Sequence, residues 1–349
     1  MAKAAARVVP QRELHKTVTR IFTAAGCSDD HASTVADVLV WANLRGVDSH
    51  GVVRVPRYVE MFKSGEAKAR PAIKIHHPRP AVIVVDADSA PGPVALQSAM
   101  AAAIDAARSS GVAWAAVKGT VHTGAIGYYA EQAAVQGLIG IGMVAGVPNM
   151  AYHGARGAAV ATSPLAIAVP SDSHGPILLD MATATIALGK IAQHKIRGLP
   201  LPEGAALDAD GLPTTDAAKA VTPLPMGGAK GSGMSLMFEL MTSVLVSNAI
   251  VAPFHAKAPG GRKHRQNAAM IALDVAAFGP LDSFKSAADA AADAIKALPA
   301  ASEGGEVLLP GERGARTFGQ RSEAGIPVPP KTWEALVEAA QAVGISVDG

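Results

Sequence analysis

The polar stretch RGVDSHGVVRVPRYV contains the residue types needed for proton transfer and carboxylate binding. His50 can exchange a proton near neutral pH, and the hydroxyl of the adjacent Ser49 can fix its tautomer. Arg54 offers a planar fork suited to a carboxylate, and Tyr58 follows on the same helical face. The structural alternative is that Ser49 caps a turn while Arg54 pairs with Asp48 on the surface.

Two further positions could contact a nucleotide. His122 lies between a predicted strand and a helix start that is rich in glycine, where backbone amides can bind phosphate. Asp180 ends another predicted strand and could accept hydrogen bonds from ribose hydroxyls. The alternatives are a simple tight turn at His122 and a helix N-cap at Asp180.

The stretch MGGAKGSGMSLMFEL (226–240) is typical of phosphate binding, because several glycines precede an apolar helix. It is not a P-loop, and no Gly-x-Gly-x-x-Gly joins a strand to a helix anywhere in the chain. By itself, the missing Rossmann fingerprint argues against a nicotinamide cofactor. The scattered histidines and the single cysteine predict no metal site.

The elements that must position these residues alternate between helices and buried strands, which predicts a mixed α/β fold. His50 falls in a turn, and Pro56 suits the first turn of the helix that follows. Ser28 or Asp29 is predicted to cap the second helix. Helices are predicted at 11–25, 29–45, from 53–56 to 64–65, and at 94–109, 126–136, 183–194, 233–248, 283–297 and 331–343. Strands are predicted at 81–87, 112–118, 138–145, 165–169, 177–180 and 268–274.

The 349 residues suffice for two domains with a full core, and a net charge of +2 favours no nucleic-acid partner. Cys27 is the only cysteine, so we expect it to pack in the interior and form no intrachain disulfide. The N-terminal residues lack the apolar core of a secretion signal, and the longest apolar run is ten residues (138–147). These features predict a cytoplasmic protein that does not enter a membrane.

Taken together, the motifs resemble the malate/L-lactate dehydrogenase-like family of NAD(P)-dependent oxidoreductases. The matching pieces are RGVDSHGVVRVPRYV, VHTGAIGYYAEQA, LLDMATATIALGKI, DADGLPTTD, MGGAKGSGMSLMFEL and LPGER, in family order over roughly residues 10–345. The resemblance implies a non-Rossmann fold, with a mixed sheet, flanking helices and a helical N-terminal part. It also implies a homodimer with active sites between subunits.

The resemblance also assigns roles to residues. It implies that Ser49 and His50 form a proton-relay pair, that Arg54 binds the substrate carboxylate, and that His122 is the competing acid/base. Thr162 matches a residue that contacts substrate, and we place Tyr58 on the substrate side as well. The implied cofactor contacts are His122, Thr123, Gly124, Ala125 and Ile126; Asp180, Met181 and Ala182; Leu188, Gly189 and Lys190; Lys230 and Gly231; and Leu309, Pro310, Gly311, Glu312 and Arg313.

Two branches of the family compete. HGAR (153–156) resembles the Δ1-piperideine-2-carboxylate/Δ1-pyrroline-2-carboxylate reductases. Those reductases have an aspartate where this chain has Lys190, and ATSP (161–164) replaces the common GTNP. Lys190 and the Gly-Tyr-Tyr at 127–129 are closer to the hydroxy-acid branch, which includes ureidoglycolate dehydrogenase.

We therefore predict an NAD(P)H-dependent oxidoreductase that moves hydride to or from C2 of a small 2-oxo, 2-hydroxy or cyclic 2-imino acid. The alternative from another class is a catalytically inactive nucleotide-binding homologue. NADPH is favoured over NADH, and the basic loop GRKHR (261–265) could meet a 2′-phosphate or lie in solvent. Residues 1–115, completed by 305–349, are predicted to form the substrate domain, and 116–304 the NAD(P)-binding domain.

Overall fold

The secondary structure comes from a computed structural model, which describes residues 6–258, 265–302 and 304–347. The strands are β1 (Arg7–Val9), β2 (Lys74–Arg79), β3 (Val82–Asp86), β4 (Val112–Thr120), β5 (Leu138–Gly146), β6 (Met150–Ala151), β7 (Ala158–Val160), β8 (Leu165–Val169), β9 (Ile177–Met181), β10 (Ala206–Leu207), β11 (Pro213–Thr214), β12 (Thr222–Pro223), β13 (Gln266–Asp274) and β14 (Ile326–Val328). The α-helices are α1 (Gln11–Ala24), α2 (Asp29–Leu44), α3 (Val55–Lys63), α4 (Gly92–Ser110), α5 (Gly127–Ala134), α6 (Leu188–Arg197), α7 (Ala229–Glu239), α8 (Val251–His255), α9 (Leu281–Lys296), α10 (Glu312–Ala324) and α11 (Pro330–Gln341).

A seven-stranded mixed sheet in the order β2-β3-β4-β13-β5-β8-β9 holds the predicted strands together. Only β3 and β4 pair in parallel, and the other neighbours are antiparallel. The central strands are rich in buried alanine, valine and methionine, and helices α4 and α5 pack on them. The predicted α/β fold with a mixed sheet and flanking helices is confirmed, as are all six predicted strands.

A second core joins the N-terminal helices α1, α2 and α3 to α11 near the end of the chain. The Ser28 hydroxyl caps α2 by accepting a hydrogen bond from the His31 amide at 3.3 Å, as predicted. Cys27 is buried in this core, and burial raises the pKa of its thiol to about 12. The sheet takes β2 and β3 from the region before residue 115, and the division into two domains stays a prediction.

Two helix predictions need correction, and two helices, α8 and α10, were not predicted. The helix predicted at 183–194 begins only at Leu188, because Thr183 and Thr185 donate their amides to Thr162 and Leu224 instead. The helix predicted at 233–248 is α7 followed by a π turn, Leu240–Val244. Helix α10 was not predicted, and it has no buried residue from which an apolar period could be read.

No helix within the described part of the chain is long and apolar enough to cross a membrane. In the same residues, no group of three or more histidine, cysteine or acidic side chains could hold a metal ion. Four residues of the basic loop GRKHR, 261–264, lie outside the described residues. The Arg265 guanidinium donates to the Asn248 carbonyl at 2.9 Å.

Candidate active site

The predicted catalytic turn, residues 48–54, connects α2 to α3 as two short 3₁₀ turns, Asp48–His50 and Val52–Arg54. Helix α3 begins at Val55 with Pro56 in its first turn, where the missing proline amide costs no helical hydrogen bond. His50 therefore lies in a turn between two helices, as predicted.

Within the turn, the side chains of Ser49 and His50 are held next to each other. The Ser49 hydroxyl lies 3.1 Å from His50 Nδ1, and Arg54 Nε donates to the Ser49 carbonyl at 2.7 Å. Arg54 is not paired with Asp48 as the surface alternative predicted, because Asp48 bonds Arg321 of α10 at 2.7 Å. Burial, and then the charge of Arg54, lower the pKa of His50 to about 4, so its imidazole is neutral at neutral pH.

His122 follows β4 and lies against the catalytic turn. Its ring stacks on the His50 ring with centroids 5.7 Å apart and an interplanar angle of 21°. The Tyr58 hydroxyl donates to the His122 carbonyl at 2.8 Å and lies 3.0 Å from Nδ1. The Gly124 amide donates to the same Nδ1 at 3.3 Å, which places the proton of the neutral ring on Nε2. The two candidate acid/base residues are thus neighbours, although 72 positions of sequence separate them.

Tyr58 and Gly92 fix the position of His122. Tyr58 is fully buried, and its ring meets the Phe22 ring edge to face at 5.9 Å. A Cβ atom at Gly92 would overlap the backbone of His122 and Thr123, so only glycine lets α4 begin this close. The placement of His122 therefore depends on packing from α3 and α4 as well as on its own strand.

Asp180 lies at the end of β9 and accepts the Gly127 amide at 2.9 Å through Oδ2. It does not cap α6, because the N-cap of that helix is Ala187. The surrounding protein raises the pKa of Asp180 to about 6 by desolvating the carboxylate, against the opposing effects of the Gly127 amide and the Arg45 charge. The residue still keeps an exposed face, so its carboxylate can reach a ligand from solvent.

Arg45, just after α2, contacts both α5 and the start of α10. It pairs with Glu131 at 3.1 Å and donates to the Gly311 carbonyl at 3.0 Å. A Cβ atom at Gly311 would lie 2.5 Å from the Leu178 carbonyl oxygen, so the LPGER segment packs directly on β9. Sequence reasoning had assigned no role to Arg45, although it opens the motif that contains His50.

The remaining predicted cofactor segments lie along the same surface. A Cβ atom at Gly189 would be 2.9 Å from the Ser49 Cβ atom, so the start of α6 touches the catalytic turn. A Cβ atom at Gly231 would be 2.5 Å from the Thr183 carbonyl oxygen. The Thr183 amide in turn donates to the Thr162 carbonyl at 3.0 Å. Thr183 therefore contacts both Gly231 and Thr162.

Some predicted cofactor residues cannot offer a side chain. Thr123, Ala125 and Ile126 are buried, so only their backbone could face a ligand. The Glu312 carboxylate is bound to Lys296 at 2.6 Å, and this hydrogen bond lowers its pKa to about 2. Exposed residues of the set that remain accessible are Asp180, Leu188, Lys190, Lys230, Pro310 and Arg313.

These groups fit a dinucleotide in their chemistry. An exposed carboxylate at Asp180 can accept ribose hydroxyls, and the exposed cations of Lys190, Lys230 and Arg313 can meet phosphates. Glycines at 189, 231 and 311 allow close approach of the segments that carry these side chains. The fold and the site together define an α/β protein with a stacked histidine pair and exposed polar groups of the kinds that bind a nucleotide.

Comparison with known proteins gives the family. The family model described as "Malate/L-lactate dehydrogenase" matches residues 9–337. A malate dehydrogenase of Pyrococcus abyssi is 33% identical over 347 residues, which cover 97% of this chain and 95% of that protein. The sulfolactate dehydrogenase structure from Methanocaldococcus jannaschii superposes with a TM-score of 0.88 at 33% identity, and covers 97% and 98% of the two chains. The Δ1-piperideine-2-carboxylate reductase structure from Pseudomonas syringae gives 0.85 at 30% identity, and covers 96% and 100%.

The chain belongs to the malate/L-lactate dehydrogenase family and is an oxidoreductase. The family resemblance inferred from the motifs is confirmed, and it explains why no Rossmann fingerprint is present. The roles of individual site residues stay predictions.

Proposed function

We propose that the protein moves hydride between a nicotinamide cofactor and C2 of a small 2-oxo, 2-hydroxy or cyclic 2-imino acid. The observation that carries this proposal is the stacked His50–His122 pair, with Arg54 anchored to the carbonyl of Ser49 next to His50. The Asp180 carboxylate, bound to the Gly127 amide at the start of α5, adds an acceptor for a cofactor. The relatives named above act on malate, on sulfolactate and on a cyclic imino acid. All three are small carboxylates that react at the adjacent carbon.

In this proposal, Arg54 binds the substrate carboxylate. Its Nε is engaged with the Ser49 carbonyl, which leaves the two terminal nitrogens to bind two carboxylate oxygens. The substrate is thereby tied to the same backbone that carries His50. Tyr58 lies on α3, the helix that follows Arg54, and touches His122, so it acts on the substrate through that ring.

His50 is the proposed proton acceptor when a hydroxy acid is oxidised. Its lowered pKa keeps the ring neutral at neutral pH, and the Ser49 hydroxyl lies against Nδ1. In the reverse direction the proton reaches the developing alkoxide or amine from His50 or from Nε2 of the adjacent His122. The nicotinamide, when bound, supplies or accepts the hydride.

The binding surface proposed for the cofactor combines Asp180, Lys190, Lys230 and Arg313 with the glycine turns between them. NADPH is favoured over NADH. Isothermal titration of the protein with each reduced cofactor measures this preference without a substrate, and a tighter Kd for NADH would reverse it.

The proposed function is tested by mixing the protein with each reduced cofactor and a panel of 2-oxo acids and cyclic 2-imino acids. Loss of the near-ultraviolet absorbance of the reduced cofactor reports turnover, and the panel separates oxo-acid from imino-acid activity. We expect His50→Ala to abolish turnover while the Kd of the cofactor stays within about twofold.

His15→Ala is the matched control, because His15 also bonds a neighbour, Asp37 at 2.9 Å, but lies on the surface of α1. It should keep full activity. Cofactor binding with no turnover on any panel member would instead favour the inactive nucleotide-binding homologue. Turnover within a few-fold of the wild type in His50→Ala would remove His50 from the mechanism and leave His122.

We also propose that the protein is a homodimer. Apolar side chains are exposed on successive turns of α7 and the π turn, a row too continuous for an ordinary surface, and these are Met237, Leu240, Met241, Val244 and Leu245. A second copy of the chain would bury them. Light scattering after gel filtration should give twice the chain mass for the wild type and a shift towards the monomer for Leu245→Lys.

A further inference from the structure

A polar cluster formed by Asn43, Asp48 and Arg321 lies behind the catalytic turn and has no part in the proposed chemistry. Asn43 is on the last turn of α2 and is 5% exposed. Its Oδ1 accepts the Val52 amide at 2.8 Å, and its Nδ2 donates to Asp48 Oδ1 at 2.7 Å. One buried amide therefore binds the catalytic turn on both sides of Ser49 and His50.

Gly51 brings the turn against this amide. A Cβ atom at Gly51 would overlap the Asn43 carboxamide, so a side chain at this position would push the turn away from α2. The backbone amides of His50 and Gly51 donate to the carbonyls of Val47 and Asp48 at 2.9 Å and 3.2 Å. These bonds make the turn compact, and the Asn43 side chain packs directly behind it.

Arg321 completes the cluster from a distant part of the chain. Its Nη1 donates to Asp48 Oδ1 at 2.7 Å and to the Asn43 carbonyl, and its Nη2 donates to Asp48 Oδ2 at 3.3 Å. The Arg321 side chain is 17% exposed. A bidentate pair that is also tied to a backbone carbonyl has a fixed geometry, unlike an isolated surface ion pair.

Helix α10 is held against the end of α2 at three successive points. Gly311, just before the helix, accepts from Arg45, and the Thr317 side chain packs on Gly46. Arg321 then reaches Asp48 near the other end of the helix. The half-buried Phe318 also packs against the two main cores, so these polar contacts and one apolar side chain together fix where α10 lies.

We propose that Asn43, Asp48 and Arg321 are positioning residues that hold the Ser49–His50 turn in register with His122. The inference rests on the proposed function, in which His50 transfers the proton. It adds a requirement that the C-terminal helix α10 be in place before His50 can act. Displacement of a proton-transfer group by about 1 Å can lower turnover by about 100-fold.

The test compares Arg321→Gln and Arg321→Lys with Arg108→Gln. Arg108 is a matched control, because it likewise bonds one carboxylate, Asp274 at 3.3 Å, and one carbonyl, that of Gln136 at 2.6 Å, far from the catalytic turn. Steady-state kinetics separate kcat from KM, and thermal unfolding reports stability. Asp48→Asn, which keeps an acceptor for Asn43, serves as a second probe if Arg321→Gln folds poorly.

A second readout needs no substrate. Imidazole NMR signals of His50, assigned by their loss in His50→Gln, are followed against pH in each variant. In the wild type the pKa of His50 is lowered to about 4 by burial and by Arg54. If Arg321→Gln loosens the turn, water reaches the ring and the pKa rises towards about 6.5, the value of a solvated imidazole.

We expect Arg321→Gln to lower kcat by about 10- to 100-fold, with partial rescue in Arg321→Lys and substrate KM and cofactor Kd within about threefold. The His50 titration should move in Arg321→Gln and stay in place in Arg108→Gln. An unmoved titration, or a loss of kcat equal to that of Arg108→Gln, overturns the proposal. If the wild type turns over no panel member, the proposed function fails, and the NMR titration still decides whether Arg321 positions His50.

Discussion

Replacing Arg54 by lysine should damage substrate binding far more than cofactor binding. The guanidinium has two tasks in the proposed complex: Nε binds the Ser49 carbonyl at 2.7 Å, and the terminal nitrogens bind the substrate carboxylate. Lysine has one ammonium group on a flexible stem, so it can perform only one of these tasks at a time.

The magnitude follows from the bonds that are lost. One charge-assisted hydrogen bond to the carboxylate contributes about 1.5–3 kcal/mol, and the bond to the Ser49 carbonyl belongs to the same charged class. Losing one of them should lower kcat/KM by about 10- to 100-fold, since about 1.4 kcal/mol corresponds to a factor of ten. Most of the loss should appear in KM, because the carboxylate is bound equally in the ground state and the transition state.

The assay is steady-state kinetics on the best substrate of the panel, together with a cofactor titration of the free protein. Arg57→Lys is the matched control, since Arg57 lies three residues beyond Arg54, in the first turn of α3, and pairs with Glu66 at 3.1 Å. It should change kcat/KM by less than about twofold, because lysine can keep that ion pair and Arg57 has no part in the proposed site. If Arg54→Lys kept KM within about threefold of the wild type, the carboxylate would have to bind elsewhere.

Two other predictions concern stability. The pKa of His50 is lowered to about 4 in the native protein. Between about pH 6.5 and pH 4 the unfolded chain therefore binds a proton at this ring and the native protein does not, so the unfolding free energy falls as the pH drops through that range. Denaturant unfolding should show that, between pH 7 and pH 5, the unfolding free energy of His50→Gln falls by about 1–2 kcal/mol less than that of the wild type. An identical fall in both proteins would contradict the lowered pKa of His50. Gly92→Ala should lower the unfolding free energy by about 1–3 kcal/mol and also reduce turnover, because its Cβ atom meets the backbone of His122 and Thr123. Gly319→Ala is its control, since that helical position is open to solvent and the change should be neutral or slightly stabilising; equal effects in both variants would argue against the close contact at Gly92.

The strands and the catalytic turn were predictable because each has a strong local signal. The buried strands are apolar runs bounded by glycine and polar residues, and the turn at His50 is marked by the proline that follows it. The helix predicted at 183–194 was wrong at its start for a tertiary reason. The amides of Thr183 and Thr185 bond to distant carbonyls, which the sequence pattern does not reveal.

Two parts of the site had no usable signal. Helix α10 is mostly polar, and Phe318 is its single large apolar side chain, so the sequence shows no apolar repeat there and gave Arg321 no role. The contact of His50 with His122 depends on Tyr58 and Gly92. Tyr58 lies in the predicted motif, but its hydrogen bond to His122 could not be read from the sequence, and Gly92 belongs to no motif. The order of the motifs over the whole chain indicated the family. The residues that hold each motif in place were visible only in the structure.

The end of α2 shows how the predicted cofactor segments can come together here without a Rossmann turn. In a Rossmann fold one glycine-rich turn positions both the phosphates and the adjoining strand. In this chain Arg45 ties α2 to Glu131 of α5 and to Gly311, while Asn43 ties it to the catalytic turn. The predicted cofactor segments and the predicted proton-transfer pair are thus connected to one helix end. It follows that variants at Arg45 should weaken cofactor binding and turnover together, whereas variants at Asn43 should affect turnover alone.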